Sequence, residues 1–202
     1  KSFESCKEAI SANYDSILFD SSSMSLEENI KITHSVVDYA KSINPDITVE
    51  GELGYLRGES KMQGTVEIKP EDFTKPAEAQ ELVEKTGVDR LAVVFGNIHG
   101  VVTKQEEKLD FGLLEKIAKA VPGTFLVLHG GSGLADEDFK KAIQGGITNI
   151  HINTEVRIAY RKGLDEKLKE APAETAPYKF LEGAVDKMQS VVEEKVKMFL
   201  GV

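Results

Sequence analysis

Five short apolar runs recur along the chain, at residues 16–19, 47–49, 91–95, 125–128 and 147–152, and each is followed by a stretch with helical spacing. The runs are short, largely β-branched or aromatic, and do not alternate cleanly, which is the pattern of strands buried on both faces. Helix punctuation fills the gaps. Ser25 with Glu28 predicts a capping box opening a helix over 26–42, with Ile30, Val36, Val37 and Ala40 as its apolar face. Pro76 and Gly87 bracket a second helix, and Asp110 precedes a third that carries Leu113, Leu114, Ile117 and Ala118 on one side. Residues 135–144 form a fourth, closed by Gly145 and Gly146, and 155–169 a fifth. A loose Ala171-Pro172-Ala173 linker then leads to a C-terminal helix over 178–200.

Repeated strand–helix units imply an α/β fold with a parallel sheet and right-handed crossovers, either doubly wound or closed into a barrel. Polar residues stand where the strands end: Asp20, Glu52, His99, His129 and Asn153. A barrel carries its chemistry all round this rim, whereas a doubly wound sheet concentrates it at one switch point. Polar residues at all five ends favour the (β/α)8 TIM barrel. Such a barrel takes about 250 residues, and five βα units plus a C-terminal helix are visible here. The expectation is one partial barrel domain over 1–202. Units four to eight would fill 1–170, the linker and helix 171–202, and three units would precede residue 1.

Composition narrows the function. No stretch approaches the roughly 18 apolar residues of a membrane span, and the N-terminal residues have no apolar signal region. One cysteine, Cys6, suits a reducing cytoplasm and a buried apolar role. A net charge of −9 argues against a nucleic-acid or anionic membrane partner. It does not exclude a phosphorylated substrate, because backbone amides, helix N-termini and metals bind phosphate within acidic proteins.

Chemistry-bearing residues cluster at two adjacent strand ends. His99 closes one strand in Gly96-Asn97-Ile98-His99-Gly100, and His129 closes the next in Leu128-His129-Gly130-Gly131-Ser132-Gly133. Adjacent ends of a parallel sheet lie about 5 Å apart, from which two imidazoles can share a zinc at about 2.0–2.1 Å. Two histidines bonded to loop backbone are the alternative. Gly130, Gly131, Ser132 and Gly133 resemble a phosphate cradle, paired with Asn153-Thr154-Glu155 opening the next helix. Asp20 and Glu52 share the rim and fit a divalent metal, or else cap helices. His34, beside Ile30 and Val37, reads as a partly buried structural histidine.

Taken in order, these segments resemble class II fructose-bisphosphate aldolases over essentially the whole chain. The carrying motifs are Phe19-Asp20-Ser21-Ser22, Leu26-Glu27-Glu28-Asn29-Ile30, Val49-Glu50-Gly51-Glu52-Leu53-Gly54, Gly96-Asn97-Ile98-His99-Gly100-Val101 and His129-Gly130-Gly131-Ser132-Gly133. The resemblance implies a barrel lyase of glycolysis that cleaves a ketose 1,6-bisphosphate into dihydroxyacetone phosphate and glyceraldehyde 3-phosphate. It further implies a homo-oligomer, a dimer or tetramer, in the cytoplasm. His99 and His129 would hold a zinc, and Asp20 and Glu52 would line a second, more buried cation position. Gly100, Gly130, Gly131, Ser132, Asn153 and Thr154 would bind substrate at its dihydroxyacetone phosphate end. Glu59, in a mobile loop reading Tyr55-Leu56-Arg57-Gly58-Glu59-Ser60, is the candidate proton-transfer base.

Three departures follow from the same comparison. The family's third zinc histidine and an acidic proton donor fall before Lys1, so the chain as written is expected to be inactive without upstream residues. His151 stands where the family has an enediolate-binding asparagine and Asn153 where it has aspartate; His151 is expected to donate to the substrate oxyanion or else to ligate metal. The distal phosphate lacks its usual arginine around residues 182–187, leaving Lys187 as substitute. The alternatives to fructose bisphosphate are another ketose phosphate, such as tagatose bisphosphate, or a non-catalytic phosphosugar-binding barrel fragment. A lysine Schiff-base aldolase is disfavoured, since no lysine ends a strand.

Overall fold

The computed structural model describes residues 2–201. Seven strands and eight helices follow one another. They are α1 (Phe3–Ser11), β1 (Ser16–Phe19), α2 (Leu26–Ile43), β2 (Thr48–Leu53), β3 (Gly58–Gln63), α3 (Pro76–Thr86), β4 (Arg90–Val93), β5 (His99–Val102), α4 (Phe111–Ala120), β6 (Phe125–Leu128), α5 (Asp136–Gln144), β7 (Ile147–Ile150), α6 (Thr154–Glu170), α7 (Pro177–Phe180) and α8 (Glu182–Leu200), with a 3-10 turn at Pro70–Asp72 before α3.

Five strands form one parallel sheet in the order β1-β2-β4-β6-β7. Each new strand adds to the same side and the order never reverses, so the sheet has no switch point. This is barrel winding, and it decides between the two topologies that the sequence allows. The other two strands, β3 and β5, pair parallel in a separate ribbon. The sequence pattern offers no sign of this ribbon, because Gly58–Gln63 is exposed almost throughout and buries no apolar row.

The sheet has two unlike faces. Ile17, Phe19, Val49, Leu91, Val93, Leu126, Leu128 and Ile147 point to the helices and form the core with Val36, Ala40, Leu82, Leu114, Ile117 and Phe139. Gly51 faces α2 and α3 on this side, where a Cβ would meet Val88, Thr33 and Leu82 at 3.4–3.7 Å, ordinary packing distances. The opposite face carries Glu50, Glu52 and Arg90. Arg90 donates to Thr48 Oγ1 at 2.6 Å and to Ser16 Oγ, tying three strands together across the inner surface.

Helix α2 begins at the expected capping box, with Glu28 N donating to Ser25 Oγ and Ser25 N to Glu28 Oε2. Its buried face is Asn29, Thr33, Val36, Val37 and Ala40. His34 lies one step off that face, exposed and paired with Asp38 at 3.2 Å, so it is a surface residue rather than a partly buried one. Thr33 takes the inward position. Cys6 is buried against the core, and burial pushes its thiol up. The C-terminal helix breaks at Leu181 into α7 and α8. Helix α8 lies on α6 where Gly163 meets Gly183: a Cβ on Gly163 would stand 2.1 Å from the Gly183 carbonyl oxygen, so nothing larger than glycine fits this crossing.

Candidate active site

Glu50 and Glu52 are two residues apart on β2, so both side chains leave the same face of the strand. His129 follows β6 and lies between them. Its Nε2 is 2.9 Å from Glu50 Oε1 and its Nδ1 2.5 Å from Glu52 Oε1, and all three side chains are about nine-tenths buried. Burial alone would lower the imidazole's pKa. Hydrogen bonds to Glu50 and Glu52, with their charges, outweigh it and raise it to about 9. The two glutamates thus favour the charged form of His129, which stands between carboxylates that would otherwise repel each other.

His151, just beyond β7, stacks on His129 with ring centroids 4.4 Å apart and planes 19° off parallel. Burial first, then the charge on His129, holds its pKa below the ordinary value against the pull of Glu50. It presents a neutral ring with a free electron pair. Glu50, His129 and His151 place their donor atoms within 4.8 Å of one another, and among the described residues this is the metal-capable group of three or more His, Cys, Asp or Glu side chains.

A cavity of about 160 Å³ opens beside the pair. His99, Gly100, His129, Gly130 and Ser132 line one side, and His151, Asn153 and Thr154 the other. Of the five polar residues expected at strand ends, His99, His129 and Asn153 line this cavity; His99 does not close β4 as expected but opens β5. Ser132 Oγ accepts from the amides of Asn153 and Glu155 at 3.3 Å each, fixing the mouth of α6 against the β6 loop. The Gly131 amide donates to the His151 carbonyl at 3.1 Å. Gly130 has φ +72°, and a Cβ there would lie 2.2 Å from the Ile98 carbonyl oxygen, so the His129 and His99 loops touch only because this residue is glycine.

Other expected residues lie elsewhere. Asp20 accepts from the Ser22 amide and hydroxyl at 3.1 and 2.7 Å at the end of β1. Glu52 holds His129 and does not line this cavity. Glu59 is 71 % exposed and paired with Lys61 at 2.7 Å, while its neighbour Ser60 reaches the cavity. Lys187 is paired with Glu166 at 3.3 Å.

The sequence reading missed several positioning residues. Asn97 donates to the carbonyls of His129 and Val93 at 2.9 and 3.3 Å and accepts from the Phe95 amide, so it clamps the ends of β4 and β6. Asn29 donates to the Glu52 carbonyl at 2.9 Å and accepts from Ser21 and Thr33. Glu50 shares the inner face with Glu52 by period-two spacing, but its pairing with His129 depends on the register of β2, β4 and β6. Arg57 and Asp72 form a bidentate pair at 2.6 and 2.8 Å that fixes the base of β3, and the guanidinium holds the Asp72 carboxyl below its usual range.

Ser60 and Thr154 also line a second, larger groove of about 620 Å³ between β3 and α6. It is framed by five basic residues, Lys61, Arg157, Arg161, Lys162 and Lys169, and two acidic ones, Asp165 and Glu166, a local balance of +3 in a chain of net −9. Arg157 donates to the Ser60 carbonyl at 3.0 Å, one helical turn from Thr154.

The family model for class II fructose-bisphosphate aldolases matches residues 1–201. The chain belongs to that family. A fructose-bisphosphate aldolase of Staphylococcus epidermidis is 41 % identical over 198 residues, covering 98 % of this chain and 67 % of the relative. One from Geobacillus stearothermophilus is 39 % identical over 199 residues, with the same coverage. Among solved structures, the YdjI aldolase of Escherichia coli K12 superposes with a TM-score of 0.77 at 33 % identity, over 98 % of this chain and 65 % of that one. The chain thus spans about two thirds of the length of these relatives, and its fold is that of the TIM-barrel aldolases, seen here as five parallel strands with their helices.

Proposed function

We propose that this chain carries the catalytic rim of a metal-dependent aldolase that cleaves a ketose 1,6-bisphosphate, fructose 1,6-bisphosphate first, into dihydroxyacetone phosphate and glyceraldehyde 3-phosphate. The observation that carries the reading is one cavity in which His129, braced by two glutamates, stands beside a cradle made by Gly130, Ser132 and Thr154. The donor set suits a zinc-class ion: imidazole and carboxylate groups, with a second carboxylate orienting the ring. When bound, that ion supplies Lewis-acid polarisation of the ketone as the carbon–carbon bond breaks.

In cleavage the C3–C4 bond electrons pass into an enediolate, the C4 hydroxyl loses its proton as the aldehyde forms, and C3 then takes up a proton. The chain's part is to hold the fragments. The cradle amides and the start of α6 bind the near phosphate. Asn153, Gly100 and His151 line the same cavity, Gly131 is tied to it through its bond to the His151 carbonyl, and His151 is the donor toward the enediolate oxygen. The basic groove receives the far phosphate through Arg157, which supplies the arginine that residues 182–187 lack. Glu59 becomes the proton carrier if β3 swings it inward; Asp20 is the remaining carboxylate for a second cation. The protein acts in the cytoplasm, in carbohydrate metabolism, as a dimer or tetramer. The exposed Val185, Val192 and Val196 of α8 support assembly.

The test measures bound metal and EDTA-sensitive cleavage of fructose and tagatose bisphosphates, for this chain alone and extended upstream by the roughly 90 residues of three βα units. Cleavage lost with EDTA and restored by zinc is expected, and its absence from the extended protein overturns the proposal. Arg157→Ala should raise KM about ten- to a hundredfold, the worth of a charge-assisted hydrogen bond, with a smaller effect on kcat.

A further inference from the structure

We propose that Lys195 is a positioning residue for the phosphate cradle: its ammonium holds the Glu155 carboxylate back from the N-terminus of α6, so that this helix end is free to take a phosphate. The inference deepens the aldolase reading above and rests on it for the identity of the anion.

Helix α6 meets the cavity at the positive end of its dipole, and no side chain of its own caps it. The amides of Asn153 and Glu155 turn instead to Ser132 Oγ, at 3.3 Å each, and Ser132 and Thr154 line the cavity. Glu155 nevertheless puts an acid in the first turn of this helix. A carboxylate there suits the dipole, but it competes with an incoming phosphate for the same positive end and repels it. The fold removes that conflict from behind. Glu155 does not line the cavity. Its Oε2 is buried, makes no hydrogen bond, and stands 3.6 Å from Lys195 Nζ of α8. The Lys195 side chain is only 12 % exposed. Its ammonium lies 5.0 Å from the centre of the Phe139 ring, which is fully buried in α5 and packs edge-on against Phe199 of α8. An aromatic ring and one carboxylate thus fix the ammonium on the far side of Glu155 from the site. Without Lys195 the buried oxygen has no cation, and the carboxylate gains by turning toward the helix end and the amides that the phosphate needs.

The experiment measures binding of inorganic phosphate and of dihydroxyacetone phosphate to the purified chain by calorimetry. Lys195→Met keeps the apolar stem and removes the charge; it should weaken both about tenfold, within the range of a charge at a partly buried helix end. Glu155→Gln removes the acid itself and should not weaken either ligand. Added to Lys195→Met, it should restore the lost affinity, which a mere loss of packing between α6 and α8 would not allow. Lys195→Arg keeps the charge and should stay near wild type. In the extended protein Lys195→Met should raise KM for the ketose bisphosphate and leave kcat nearly unchanged. Wild-type affinity in Lys195→Met, no recovery in the double variant, or weaker binding in Glu155→Gln overturns the role of Lys195. Circular dichroism separates these results from misfolding, and the Glu155→Gln arm decides even if Lys195→Met does not fold. The two proposals fail separately. Cleavage of ketose bisphosphate with phosphate binding blind to residue 195 sinks the positioning role alone. Phosphate binding that follows this pattern, in an extended protein that cleaves no ketose bisphosphate, sinks the aldolase reading alone.

Discussion

The two faces of the five-stranded sheet are built on opposite principles. Toward the helices, Leu91, Val49 and Leu128 are fully buried among apolar side chains, and their contribution is non-directional. Toward the interior, the same strands bury Glu50, Glu52 and His129, whose worth depends on every partner being present. Leu18 and Phe125, also on the inner face, are 45 % and 57 % exposed. One face is packed for stability and the other is held together by charge, so substitutions on the two should fail in different ways.

The largest expected effect is on the charged face. His129→Ala leaves two glutamates buried without their cation, at a cost of about 3–5 kcal/mol. Chemical denaturation at pH 7 should show this loss, and a smaller one when Glu50→Gln and Glu52→Gln are added to His129→Ala. A loss unchanged by the added substitutions would show that packing, not charge, dominates there. Leu91→Ala should cost about 3 kcal/mol by leaving a cavity, with no pH dependence and unchanged zinc affinity. A changed affinity would mean that the faces are coupled. Asn29→Ala should cost about 2 kcal/mol by stripping the buried Glu52 carbonyl of its donor, and it should also weaken metal binding, since Asn29 links the two faces.

The last effect is read as a pH slope and concerns Glu107. Burial raises its carboxyl to about 8, against the Ile98 amide that favours the charged form and with Asp138 adding to the rise. The folded protein keeps a proton that the unfolded chain has released, so stability falls as pH rises from about 4.5 through about 8. Glu107→Gln should flatten that fall in thermal melts taken across the window. An unchanged slope would place the titrating group elsewhere.

Much of the architecture was legible from sequence because it obeys local rules. Strands β1 and β6 lie where their apolar runs stand, and α2 starts at its capping box. The ribbon of β3 and β5 was not legible, because its stability comes from backbone pairing between segments about 40 residues apart and no side-chain pattern marks it. At the site, glycine-flanked histidines at strand ends pointed to the cavity. What they concealed was pairing across strands: which carboxylate meets which ring depends on the sheet's register, and Glu50 and Asn97 emerge only once β2, β4 and β6 are laid side by side. His34 misled because it borders the correctly placed face of Val36, Val37 and Ala40, while Thr33 beside it takes the inward position.

The ribbon also changes how entry to the site has to be pictured. Strand β5 starts at His99, whose amide donates to the Arg57 carbonyl at 2.8 Å, and whose carbonyl accepts from Gln63 of β3. The cover over the cavity and the histidine in its wall are therefore stitched by the same backbone bonds. The doorway and the lock are therefore one joined piece, anchored at its base by Arg57 and Asp72.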